Sequence, residues 1–411
     1  MQPDNIITQP GPPPDVTQPE HKKPTGRTIA LLAVAAGITL AASVAVYLLF
    51  FKPKEVQSSI RTFFTYDQQV ADTLRGLTPT GEITISEVQK WEDKTYELIG
   101  HHGTIDVDAS KVYAYLSVAQ LDAAALSYKA HKTFAGSVEL ISKNVLCEFY
   151  PDSCGSLVTT NNDAYATALS DAVMAKVKAR ITEDNAQTKP TALKPGAQYW
   201  NGPAMQVGLS APSFKPWFLT SASQFRSAPP IAANSAELQQ QLTALKQRVA
   251  SATNDQKAIV IKWAGGPGTR TPPGIWLALA TDYMQEKSVP LDTYLEVRAL
   301  TTISMADAVI AVFDSKYFYQ YKRPNMLDSS IVTIMPTPNH PSYPAGHASI
   351  SWAAATVLNK YLPDNQQEWS RLATEASDSR SAGGIHFPTD NAAGATLGSA
   401  VGNQVLKVWQ E

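Results

Sequence analysis

Residues 340–362 read HPSYPAGHASISWAAATVLNKYL, a loop stiffened by two prolines and a glycine that delivers one histidine, His347, onto the start of a strongly helical run. The run predicts a helix over 347–362. Worked outward, the same period predicts helices over about 274–287, 291–322, 366–380 and 388–408. The last of these carries Gly394, Gly398 and Gly402 at four-residue spacing, a small-residue stripe that lets another helix pack closely. Upstream, ISEVQKWEDKTYELIG (85–100) is a helix with Ser86 and Gln89 at capping-box spacing and Gly100 as its stop. Residues 109–134 are apolar on most sides and suit a buried central helix. Helices over 162–183 and 235–251 follow, the second with Leu238, Leu242, Leu245 and Val249 on one stripe. Between them, residues 185–233 hold seven prolines together with Trp200 and Trp217, an irregular segment that wraps the surface. Strand alternation is nearly absent and no repeat is evident. The fold class is all-α, a helical bundle.

The chain of 411 residues has room for one large domain or two ordinary ones. Its 34 basic and 36 acidic side chains give a net charge of −2 without a long single-sign run, which excludes a nucleic-acid binder. Residues 1–27 carry seven prolines and few apolar side chains, the composition of a disordered tail. Residues 28–51, TIALLAVAAGITLAASVAVYLLFF, are 24 uncharged positions. As a helix they would run about 36 Å, enough for a hydrocarbon core of roughly 30 Å. The length and the Tyr-Leu-Leu-Phe-Phe end favour a transmembrane anchor over a cleaved signal peptide. Lys22, Lys23 and Arg27 before the span, against Lys52 and Lys54 after it, tip the N-terminus to the cytoplasmic side. No later stretch is apolar enough to span. The expectation is a single-pass membrane protein with an extracytoplasmic body, divided into an N-terminal helical part with the proline-rich wrapping segment (55–234) and a catalytic bundle (235–411). Cys147 and Cys154, in LCEFYPDSCGS, suit a disulfide in an oxidising compartment, with two buried free thiols as the alternative.

Three segments concentrate unusual side chains: KYFYQYKRP (316–324), YPAGH (343–347) and SRSAGGIHFPTD (379–390). Lys316 and Arg323 are seven apart, so on one helix they point the same way, about 10.5 Å apart along the axis, and can converge on an anion. Gly346 and His347 open a helix, where free N–H groups favour a phosphate-like anion and a histidine can donate a proton to a leaving oxygen. Asp390 follows His386 by four residues, a spacing that lets the carboxylate take one ring nitrogen and leaves the other nucleophilic or metal-binding.

In this order the three segments resemble the type 2 phosphatidic acid phosphatase (PAP2) and vanadium haloperoxidase superfamily, and KVYAYLSVAQLDA, LKPGAQYWNGP and SASQFRSAPP extend the likeness back to about residue 110. The resemblance implies a helical bundle in which Lys316, Arg323 and Arg380 hold the oxygens of a phosphoryl group or of vanadate, and Gly346 adds a backbone N–H. It implies that His386 is the nucleophile of a phosphohistidine, or the residue bonded to vanadium, that Asp390 orients it, and that His347 serves as general acid and then base. A phosphatase needs no cofactor and a haloperoxidase needs vanadate; the substrate is a phosphorylated small molecule or lipid headgroup. Ala345 stands where many members have serine. His340 resembles a position that is histidine in the bromoperoxidases, with a plain surface loop as the alternative. His101, His102, Asp106 and Asp108 could suggest a metal site, but a solvated loop is the preferred reading.

Overall fold

The computed structural model describes residue 58 and residues 60–411, so the expected tail and anchor lie outside the described residues. Ser59–Glu411 forms one compact unit. Among the described residues thirteen α-helices follow in order: α1 Gln68–Arg75, α2 Ile85–His101, α3 Asp106–His131, α4 Glu139–Phe149, α5 Ala164–Gln187, α6 Ala236–Ala250, α7 Asn254–Lys262, α8 Thr271–Glu286, α9 Leu291–Tyr319, α10 Pro324–Leu327, α11 Gly346–Tyr361, α12 Gln366–Ala382 and α13 Pro388–Gln410. Among the described residues the only β feature is an isolated bridge between Glu82 and Ala135. No helix among them is long and apolar enough to cross a membrane.

Two helices, α3 and α9, are buried on nearly every face and form the centre. Polar side chains inside them act as fasteners. Arg298 of α9 donates to Glu92 of α2 at 3.0 Å and to Gln120 of α3 at 2.8 Å, a buried pair whose remaining bonds come from Tyr96 and Thr281. Asp122 of α3 accepts from the N–H groups of Phe63 and Phe64 and from the Tyr66 hydroxyl, pinning the chain that leads into α1. Asp307 of α9 accepts from the N–H groups of Trp217, Phe218 and Leu219, and Asp314 takes both arms of Arg226. The proline-rich segment has no ladder of its own, so α9 supplies acceptors for its backbone donors.

The glycine stripe of α13 faces α11. A Cβ on Gly394 would sit 2.5 Å from the Ala345 carbonyl, one on Gly398 2.2 Å from the Ser349 carbonyl, and one on Gly402 2.7 Å from Thr356 Cβ. The expected close packing is therefore present, and only hydrogen fits at these positions. This contact brings the N-termini of α11 and α13 together, with the Ala345 N–H donating to the Asp390 carbonyl at 2.9 Å.

Several expectations are corrected. Thr84, not Ser86, caps α2 by accepting from the Glu87 N–H, because the Thr84–Glu87 pair has the same spacing two residues earlier. Gly100 lies inside α2, and the chain turns instead at Gly103 with φ +60°. Arg323 is not on the helix of Lys316: α9 ends at Tyr319, where Gln320 adopts φ 49° and ψ 47°. Helices α1, α4, α7 and α10 had no counterpart in the sequence reading. Cys147 and Cys154 are disulfide-bonded with Cα atoms 4.9 Å apart, tying the end of α4 to the turn after it.

Candidate active site

The tyrosines of KYFYQYKRP wrap the proline-rich segment around the end of α9. The Tyr317 hydroxyl donates to the Val207 carbonyl at 2.5 Å, Tyr319 to Ser227 at 2.7 Å and Tyr321 to Ile231 at 2.9 Å. With its neighbours so anchored, Lys316 turns inward and donates to the carbonyls of Pro341 and Ser342 at 2.9 and 2.8 Å. It also lies beside Gly346, whose absent Cβ would be 3.9 Å from Lys316 Cε. Arg323 reaches the same place from the chain after α9. It donates to the carbonyls of His340 and Ile385 at 3.0 and 2.8 Å and to His386 Nε2 at 3.0 Å. Arg380, in the last turn of α12, donates to Val260 O at 2.7 Å, Ser379 Oγ at 3.0 Å and Met335 Sδ at 3.0 Å.

All three cations are fully buried. Among the described residues none of them makes an ion pair with a carboxylate. Backbone carbonyls and neutral side chains hold them in place without cancelling their charge, and each keeps at least one N–H to offer elsewhere. Burial pulls Arg323 and Arg380 down to about 9, and burial together with Arg323 carries Lys316 well below the usual lysine range. An anion bound among them would favour the charged forms and raise all three values.

His386 follows a turn through Gly383 and Gly384 that carries the chain from α12 to α13. Its Nδ1–H donates to Asp390 Oδ2 at 3.0 Å, which assigns the neutral tautomer with the Nε2 lone pair turned to Arg323. Burial, Arg323 and Lys316 hold the imidazole well below its ordinary range, so it is neutral near pH 7. Asp390 Oδ2 also accepts from Ser342 Oγ at 2.6 Å and the Phe387 N–H at 3.2 Å, while burial pushes the carboxyl up to about 6. His347 Nε2–H donates to the Trp263 carbonyl at 2.8 Å. Burial and Arg380 lower the ring's pKa, while the backbone of Trp263 and Ala264 pulls the other way. Gly346, as the first residue of α11, has an N–H without an intrahelical acceptor.

Gly346, His347, His386 and His340 line one cavity of about 330 Å³, with Phe313, Ile105, Val207 and Ile350 among its apolar walls. His340 is not in a surface loop: it is buried, its ring 5.1 Å from that of Phe313 and its Nδ1 3.1 Å from Arg323 Nη2. Asp106 departs from the solvated-loop reading, because it begins α3 and lines the cavity. His101, His102 and Asp108 stay exposed, and no metal-binding group of His, Cys, Asp or Glu occurs among the described residues. Ser342, Met335 and the Trp263 carbonyl were not foreseen. Ser342 was within reach of sequence reasoning, as a hydroxyl inside the stiff loop; the other two carry no local signal.

Residues 297–411, which hold all the candidate catalytic and anion-binding side chains, match the family model of the PAP2 superfamily. This C-terminal segment belongs to the PAP2 superfamily. A stretch of 49 residues is 41% identical to a non-specific acid phosphatase of Providencia stuartii, covering 12% of this chain and a fifth (20%) of that relative. The PAP2 segment and the helices before it share their fold with bacterial vanadium-dependent haloperoxidases. An iodoperoxidase matches with a TM-score of 0.64 and 20% identity over 80% of this chain and 97% of its own. A chloroperoxidase matches with a TM-score of 0.57 and 12% identity over 84% of this chain and 97% of its own.

Proposed function

We propose that the protein hydrolyses phosphomonoesters through a phosphohistidine on His386. The observation that carries this reading is the set of three buried cations without carboxylate partners about the two histidines: Arg323 meets Nε2 of the neutral His386, Lys316 acts on both rings and Arg380 acts on His347. A phosphoryl dianion supplies the charge that Lys316, Arg323 and Arg380 lack, with Gly346 N–H as a further donor. His386 Nε2 attacks phosphorus as the bond to the leaving oxygen breaks. His347, whose imidazolium the bound phosphoryl charge favours, keeps Nε2–H on the Trp263 carbonyl and gives the Nδ1 proton to that oxygen. It then takes a proton from the water that cleaves the N–P bond. Asp390 holds the His386 tautomer throughout. The short match to a non-specific acid phosphatase supports the same chemistry.

The second reading, a vanadium-dependent haloperoxidase, is favoured by His340, buried against Arg323 at the position that resembles the bromoperoxidase histidine. The donor set suits vanadate as it suits phosphate: Lys316, Arg323, Arg380 and Gly346 would hold its oxygens and His386 Nε2 the metal. Bound vanadate would supply activation of peroxide for halide oxidation. Under either reading residues 28–51 tether the domain to a membrane with its body on the extracytoplasmic side, and the substrate is a phosphorylated small molecule or a lipid headgroup.

Phosphate release from an aryl phosphate without added metal tests the first reading. Vanadate should inhibit it, and His386→Ala should reduce it to background while the circular dichroism spectrum is kept. Halide oxidation by the vanadate-loaded protein, with no phosphate release, would replace it with the second.

A further inference from the structure

Asp106 is the only carboxylate among the residues that line the cavity of His347 and His386. One oxygen, Oδ1, accepts the Val107 N–H at 3.0 Å, a bond local to the start of α3. The backbone N–H of Asp106 itself is the other local donor, and the carboxylate makes no ion pair among the described residues. Lys316 acts on it through charge without an ion pair, its ammonium donating to the carbonyls of Pro341 and Ser342. The two N–H bonds are local to the start of the helix and leave the charge of the carboxylate without an ion-pair partner.

We infer that this cavity takes phosphomonoesters whose alcohol part carries an ammonium group, with Asp106 receiving that group and the phosphoryl lying at His386. The inference rests on the phosphatase reading. Its argument is charge placement in a shape that expels water. Ile105, Val207, Ile261, Phe313 and Ile350 make most of the wall near the carboxylate apolar. A substrate that fills such a space strips water from Asp106, and a carboxylate left unpaired there is costly. A hydroxyl would return one neutral hydrogen bond, whereas an ammonium returns the opposite charge. A second anionic group would be repelled. Lys316, which holds the phosphoryl, is near enough for its charge to act on Asp106, so an anion-binding and a cation-binding group stand close together and suit a short zwitterion. A volume of about 330 Å³ lies at the small end for ligand sites, which fits a short amino alcohol ester rather than a whole diacyl lipid. Burial already raises the carboxyl of Asp106, a strain that a bound ammonium would relieve.

The test compares 2-aminoethyl, propyl and glycerol phosphates as substrates, and 2-aminoethylphosphonate with propylphosphonate as calorimetric ligands, for the wild-type chain and Asp106→Asn. A charge-assisted hydrogen bond predicts a wild-type kcat/KM about ten- to a hundredfold higher for the amino ester than for propyl phosphate, collapsing toward parity in Asp106→Asn. Equal use of the esters, a preference for glycerol phosphate, or a ratio unchanged in the variant overturns the inference and leaves the phosphatase reading intact. If no ester is hydrolysed, the phosphatase reading fails. The ammonium site then stands only if wild type binds 2-aminoethylphosphonate more tightly than propylphosphonate and Asp106→Asn does not, and it falls otherwise.

Discussion

Replacing Ser342 with alanine should move the acid limb of the pH–rate profile upward. The Ser342 hydroxyl is fully buried and donates to Asp390 Oδ2 at 2.6 Å. Burial raises that carboxyl to about 6, and the Ser342 bond is the largest influence pulling the other way. A hydrogen bond to a charged acceptor contributes about 1.5–3 kcal/mol, and one pKa unit corresponds to about 1.4 kcal/mol, so its loss should raise Asp390 by about one to two units. Protonated Asp390 no longer accepts from His386 Nδ1–H, and the nucleophile loses its fixed tautomer. Because kcat/KM reports the free enzyme, its acid limb should lie near 6 in wild type and at about 7–8 in Ser342→Ala. Stability gives an independent check. The folded carboxyl holds its proton to about 6 while the unfolded one releases it near 3.8, so between those values the folded state binds more protons and stability falls as pH rises. In Ser342→Ala that fall should continue to the new, higher value. Phosphate release measured across pH 4–9 (about the range that brackets both limbs), beside urea denaturation at each pH, reads both. A limb that stays near 6 in a folded variant would refute the role given to this hydroxyl.

Gly398→Ala places a Cβ 2.2 Å from the Ser349 carbonyl, so α11 and α13 must part. We expect a loss of about 1–3 kcal/mol in urea denaturation together with reduced turnover, and an unchanged midpoint counts against the packing argument. Ala345→Ser offers a hydroxyl at the N-cap of α11, where no side-chain cap bond exists. It should tighten vanadate inhibition by about one to two powers of ten, and an unaltered inhibition constant would mean that this position does not face the anion. A chain beginning at Lys54 should stay in the aqueous fraction and keep its activity; a need for detergent would argue against a single tether.

The long helices were legible because their apolar period runs over many turns, and α9, α11, α12 and α13 begin within one residue of where that period predicts, α12 and α13 running two residues beyond their predicted ends. The helices α1, α4, α7 and α10 were not, for a physical reason: segments of 8, 11, 9 and 4 residues carry too few repeats to show a face and depend on tertiary contacts. Gln320 in the left-handed region was equally silent, since neither glycine nor asparagine marks that turn. In the site, Lys316, Arg323, Gly346, His347, Arg380, His386 and Asp390 stood out by the family resemblance of the three segments taken in order. What surrounds them did not. The Trp263 carbonyl that takes His347 Nε2–H and the Val260 carbonyl that takes Arg380 are backbone atoms on or just after the unforeseen α7, and any residue type could provide them.

Helix α9 carries two buried cations that sequence alone cannot rank. Arg298 meets Glu92 at 3.0 Å and Gln120 at 2.8 Å, so its charge is neutralised inside the fold and its task is to join α9 to α2 and α3. Lys316, five turns further along the same helix, meets only carbonyl oxygens. A carbonyl dipole orients an ammonium without removing its charge, so the field of Lys316 remains available to a ligand, whereas that of Arg298 does not. Arg323 and Arg380 are held by the same device, through Ile385, His340 and Val260. A carboxylate in place of any of these carbonyls would hold the side chain as firmly and would cancel the charge that an oxyanion needs. The difference between a structural cation and an anion-binding one in this fold is therefore the identity of the acceptor, and it becomes visible only in the folded chain, where residues 338–345, 385 and the end of α7 supply those carbonyls.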